Sequence, residues 1–171
     1  KIGKNTMNTM INKINKNDLL NIIKSRATTT DANLKNQDKK AFIYLAKSSY
    51  GTYKIGFSIN PEQRVRAFNS GSYFDVELLE KIPTEGLVRH LEGRTINVMG
   101  VISSNKKREW VRIPSIDSKI VQETFKFIVK NMITQIRKNV RTKTKMENKV
   151  LEKYNIKPKV INAQTTVALS R

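Results

Sequence analysis

Two short apolar runs, Phe42–Leu45 and Tyr53–Phe57, stand on either side of the polar stretch Ser48-Ser49-Tyr50-Gly51. Each run is too short to read as a helix, and the break between them carries the glycine that a tight chain reversal needs, so the pair predicts a β hairpin. A hairpin alone is marginal in water, so flanking segments must cover it.

The residues that follow are punctuated in a way that supplies such cover. Asn60-Pro61-Glu62 predicts a helix start, with Asn60 as N-cap and Pro61 in the first helical position. Val65 and Phe68 fall on its inner side, and Gly71 closes it. Asp75 to Ile82 predicts a third strand, which Pro83 confines to an edge or an end. Thr84 is the expected cap of a second helix in which Leu87, Val88, Leu91 and Val98 face inward. The patch Ser103 to Arg108 is expected to be flexible, and Glu109 to Ile113 reads as a short last strand stopped by Pro114. The order is close to ββαβαβ. It predicts an α+β domain over residues 41–114, with a three- to four-stranded, mostly antiparallel sheet flanked by helices.

Both flanks read as basic extensions. In residues 1–40, Met7, Met10, Ile11 and Ile14 have helical spacing, and Leu19, Leu20, Ile22 and Ile23 form a second apolar cluster. Residues 25–40 then read as a polar linker in which Leu34 is the only large aliphatic side chain. In residues 115–171 a long helix is predicted from 116 to about 146. Val121, Phe125, Ile128, Met132, Ile136 and Val140 share one stripe of it, while Lys119, Lys126, Lys130, Arg137 and Arg141 share another about a third of a turn away. Lys145 and further lysines continue the basic series, and Pro158 ends helical structure before a polar tail.

Charge ties these regions to a partner. The chain has 33 Lys and Arg against 14 Asp and Glu, a net charge of +19, and most of the excess lies outside residues 41–114. A polyanion is the economical partner for such a surface, with the basic helix as its grip. The absence of cysteine removes disulfides and thiolate metal sites and fits a reducing compartment. His90, the single histidine, cannot build a transition-metal site alone. No apolar run approaches the length of a membrane span, so no membrane partner is expected.

Within residues 41–114, several short motifs follow one another in a particular order. Phe42-Ile43-Tyr44 and Lys54-Ile55-Gly56 lie on the two hairpin strands, Arg64 follows in the next helix, Glu92 lies in His90-Leu91-Glu92-Gly93, and Glu109-Trp110 closes the series. In this order and spacing the segment resembles the GIY-YIG nuclease superfamily, above all its phage and viral subgroup with K-I-G as second motif and E-W in the last strand. Phe42 departs from that pattern where glycine is usual, and Lys54 where tyrosine is usual. Tyr53 cannot replace Lys54, because adjacent strand residues point to opposite faces.

The resemblance implies a Mg²⁺-dependent endonuclease acting on DNA, with Tyr44, Lys54, Arg64 and Glu92 as catalytic residues and Glu92 as the metal ligand. The chemistry gives each a reason. A free phenol titrates near 10, so Tyr44 becomes a base only if a cation such as Lys54 favours its phenolate. Arg64 offers a planar fork of donors to phosphoryl oxygens, and Glu92 the hard oxygen that Mg²⁺ prefers. Gly56 is expected to leave room for substrate, Ser58 to cap the turn or touch phosphate, and Trp110 to sit in the core. The other reading is a non-catalytic RNA-binding component of a large ribonucleoprotein, such as an organellar ribosome. The compartment is not fixed by either reading beyond the inside of the cell, mitochondria being one option under the second. Basic extensions suit both readings, so the four polar groups decide between them.

Overall fold

The computed structural model describes residues 15–27, 40–71, 75–103, 105–113 and 117–157. The expected helix through Met7, Met10, Ile11 and Ile14, most of the linker with Leu34, and the tail from Pro158 lie outside them, as do the side chains of Val88 and Asn105. The chain runs α1 (Lys16–Arg26), β1 (Phe42–Ser48), β2 (Thr52–Ser58), α2 (Pro61–Gly71), β3 (Val76–Pro83), α3 (Val88–Ile102), β4 (Asn105–Lys107), β5 (Trp110–Arg112) and α4 (Ser118–Lys153). It is an α+β fold with one antiparallel sheet in the order β3-β1-β2-β5-β4.

The hairpin forms where the sequence places it. Ser48 organises its turn by accepting from the backbone N–H groups of Tyr50 and Thr52 at 3.2 and 3.3 Å. Gly51 takes a φ of 74°, a conformation that disfavours any residue with a Cβ. β1 and β2 then pair with Tyr44 opposite Gly56 and Ala46 opposite Lys54. Directly paired residues share a sheet face, so Tyr44, Ala46, Lys54 and Gly56 look one way while Ile43, Leu45, Tyr53 and Ile55 look the other. β3 is an edge strand ending at Pro83, where a missing N–H costs no ladder bond, and its register with β1 shifts between Leu45 and Ala46.

The two faces are covered unequally. Ile43, Leu45, Tyr53, Ile55 and Val111 are buried in one cluster with Leu19 and Ile23 of α1, Leu91, Val98 and Met99 of α3, and Val121 to Ile136 of α4. On the opposite face Tyr44, Ala46 and Val76 pack against Val65 and Phe68 of α2, with Trp110 beside them. α4 starts at Asp117, whose carboxylate accepts the Lys119 N–H at 3.0 Å. Its apolar stripe is buried as far as Ile136, whereas Val140 is only half-buried. No helix among the described residues is long and apolar enough to cross a membrane.

Two local expectations are corrected. Thr84 does not cap α3: its buried hydroxyl donates to the Ala41 carbonyl at 2.9 Å, fastening the end of β3 to the start of β1. Glu85 and Gly86 then turn through positive φ, and the helix begins at Val88. The patch expected to be flexible instead supplies β4, which turns at Arg108 (φ 55°) and pairs with β5. It gives the sheet its fifth strand and takes over from β5 as the edge on that side.

Candidate active site

The four residues singled out within the α+β segment come together. Tyr44, Lys54, Arg64 and Glu92 line one solvent-open hollow of about 340 Å³, with Gly56, Phe57, Ser58 and Glu109 completing its wall. Each arrives from a different element. Tyr44 and Lys54 stand on adjacent strands, two positions out of direct register on one sheet face. Arg64 lies in the first turns of α2, whose start is fixed when Asn60 accepts the Gln63 N–H at 3.1 Å. Glu92 lies in the second turn of α3. Glu109 is held by its own backbone, since its carbonyl accepts the Ile55 N–H at 3.0 Å.

Lys54 does not serve Tyr44 as expected. Its ammonium donates to Glu109 Oε1 at 2.5 Å and lies 5.0 Å from the Phe68 ring centre and 5.3 Å from that of Trp110. With 6% of its side chain exposed, it is a nearly buried cation whose charge is balanced by one carboxylate and two ring faces. The Lys54 hydrogen bond in turn holds the Glu109 carboxyl below the usual glutamate range. The cation that acts on Tyr44 is Arg64, which favours the phenolate, but burial outweighs it and the Tyr44 pKa is raised. Arg64 also stacks 5.3 Å from the Phe68 ring centre.

Gly56, which also lines the hollow, makes room for a side chain of the protein itself. A Cβ built there would meet the Tyr44 Oη at 2.7 Å and Cζ at 2.8 Å, so the glycine is what allows the buried phenol ring to lie across β2. Ser58 caps the turn, accepting the Asn60 N–H at 3.0 Å. Trp110, expected in the core, is half-buried and covers the Lys54 ammonium.

Glu92 is the less settled carboxylate of the pair. Burial raises its pKa, repulsion from Glu109 adds to that, and Lys54 opposes both. Among the described residues no ion pair reaches it. A half-buried carboxylate short of positive charge, with a second carboxylate nearby, is a fitting hard-oxygen donor set for Mg²⁺. That ion takes one or two carboxylates and completes its shell with water and phosphate. Among the described residues no group of three or more His, Cys, Asp or Glu is placed to hold a metal ion.

The basic stripe is split by the fold. Lys119, Lys130, Arg141 and Lys145 are exposed. Lys126 pairs with Glu80 at 3.0 Å and Arg137 with Glu85 at 2.8 Å, so these two fasten α4 to β3 and to the turn after it.

Sequence reasoning quoted Glu109 only as part of a motif and gave Phe57 no role. The charge of Glu109 was visible, but its partner lies 55 residues away along the chain. Comparison with protein-family models, curated proteins and solved structures finds no match to this chain.

Proposed function

We propose that this protein is a Mg²⁺-dependent phosphodiesterase acting on nucleic acid, an endonuclease of the GIY-YIG type with DNA as substrate. One observation carries the reading: a phenol, an ammonium, a guanidinium and a carboxylate from four elements line one open hollow. An inert scaffold has no use for such a gathering, which sets charges of both signs beside a desolvated carboxylate.

The roles follow from position. Glu92, assisted by Glu109, would hold Mg²⁺, which supplies positive charge for the phosphoryl oxygens and the departing 3′ oxygen. Arg64 offers paired N–H donors to the non-bridging oxygens. Tyr44, protonated at neutral pH as any phenol is and held so to higher pH by burial, orients the attacking water through its hydroxyl and becomes a base as pH rises. Lys54 fixes the positive end of the hollow, with Glu109 and the two rings fixing Lys54 in turn.

Nicking of supercoiled plasmid by the purified protein in Mg²⁺ is the test. Wild type is expected to nick, faster as pH rises above neutrality. Glu92→Ala should lower the rate by at least about 100-fold, as loss of a key electrostatic group does, while leaving salt-sensitive DNA binding within about twofold. Absence of cleavage by wild type in Mg²⁺ and Mn²⁺ overturns the reading. It would favour the second one, a non-catalytic RNA-binding part of a ribonucleoprotein. The feature that supports that alternative is the exposed, lysine-rich second half of α4.

A further inference from the structure

The hollow has an apolar lip that the proposed chemistry leaves unused. Phe57 lines the hollow yet remains 49% exposed, and Ile59, two residues further on, is 60% exposed. They flank Ser58, whose hydroxyl ties the turn to Asn60 and so to the start of α2. The segment is therefore held at both ends, by the helix cap and by β2 pairing at Phe57, which lies directly opposite Ile43 and so shares the sheet face covered by α3, the helix that brings Glu92 to the hollow. An aromatic side chain held half in water beside a hollow lined by two cations and two carboxylates has a chemical use that an isolated surface phenylalanine lacks.

The hollow, at about 340 Å³, is at the small end of ligand-sized pockets and is open to solvent, so a strand can enter it from outside. Arg64 and Lys54 suit the phosphate once a divalent cation offsets Glu92 and Glu109, and the half-exposed Phe57 adds an aromatic side chain to the lining. Every base has a π face of its own, and stacking on an aromatic side chain is how strands are held without reading their sequence. A base stacked inside an intact duplex presents no free face.

We propose that Phe57, with Ile59 beside it, is a nucleobase-stacking ledge, and that the preferred substrate is a strand whose base next to the scissile phosphate is unpaired. This rests on the nucleic-acid reading given above and narrows its substrate to single-stranded, frayed or splayed strands.

Binding of a labelled single-stranded 12-mer and of the matching duplex, measured by fluorescence anisotropy in EDTA so that nothing is cut, tests it. A 2-aminopurine in the strand reports stacking by quenching. Phe57→Ala is expected to weaken single-strand binding by roughly 5- to 150-fold, the range one base–aromatic stack supplies. It should abolish the quenching and change duplex binding less than about twofold. Phe57→Trp should keep both affinity and quenching, and Ile59→Ala should lose a smaller part of each. Phe57→Ala binding the single strand as wild type does overturns the ledge and leaves the nuclease reading standing. Failure of the wild type to bind either oligonucleotide at low salt overturns both.

Discussion

The two faces of the central sheet use the same strands for opposite purposes. On one, Ile43, Leu45, Tyr53 and Ile55 meet α1, α3 and α4 and disappear into a largely apolar cluster. On the other, the alternate residues are Tyr44, Ala46, Lys54 and Gly56, and only α2 lies over them, so one end stays open as the hollow. Strand geometry imposes the alternation, but only cover decides what each face becomes. A fully covered face favours apolar side chains, because an unpaired polar group there costs about 1–3 kcal/mol. The half-covered face can keep a lysine, since Glu109 and two rings compensate its charge.

The comparison assigns stability to the sealed face, and the largest expected effect tests that assignment. Phe125 of α4 is fully buried in the sealed cluster. Phe125→Ala should cost about 3–5 kcal/mol and lower the thermal midpoint by roughly 6 to 20 °C. Thermal unfolding followed by circular dichroism reads this directly. A drop no larger than that caused by Phe57→Ala, at a half-exposed position on the hollow's rim, would mean that the two faces do not divide the work in this way.

An intermediate effect belongs to Gly56. Its added methyl would meet a buried ring, so Gly56→Ala should destabilise by about 1–3 kcal/mol through overpacking and push Tyr44 from its place. In a Tyr44→Ala background the same change should cost less than about 0.5 kcal/mol, because nothing remains to collide with. This double-mutant cycle separates making room for the phenol from making room for substrate. If Gly56→Ala costs as much without the Tyr44 ring as with it, the glycine serves something else.

Much of this arrangement is legible in the sequence wherever the cause is local. The hairpin follows from two apolar runs and a glycine turn, the α2 start from Asn60-Pro61, and the shared face of Tyr44 and Lys54 from the period of a strand once the register is set. What could not be read depends on which distant segment arrives. Lys54 pairs with Glu109 because β5 docks beside β2 and brings the Glu109 carbonyl onto the Ile55 N–H. Thr84 looks like a cap, but its hydroxyl finds the Ala41 carbonyl first, across 43 residues of chain. Lys126 and Arg137 read as members of a free basic stripe, yet they meet glutamates that sequence periodicity on α4 cannot locate.

The smallest effects lie within the hollow, where two glutamates should answer pH with opposite signs. Glu109 has a depressed folded-state pKa, so its contribution to stability is present above the unfolded carboxyl value and is lost as pH falls through the folded one. Glu92 has a raised pKa: the fold holds its proton better than the unfolded chain does, and stability is lost as pH rises through the folded value. At pH 7 without divalent ions, Glu109→Gln should therefore lower the thermal midpoint and Glu92→Gln should raise it. Each shift should correspond to less than about 1 kcal/mol, because both groups are partly solvated. Below the unfolded carboxyl pKa of about 4.3 the Glu92→Gln difference should close, and the Glu109→Gln difference should close further down. Midpoints for both variants across pH 3 to 8 decide the matter. Shifts of the same sign at pH 7 would show that the two carboxylates share one environment, and that Glu92 is not held short of the positive charge that a divalent cation would bring.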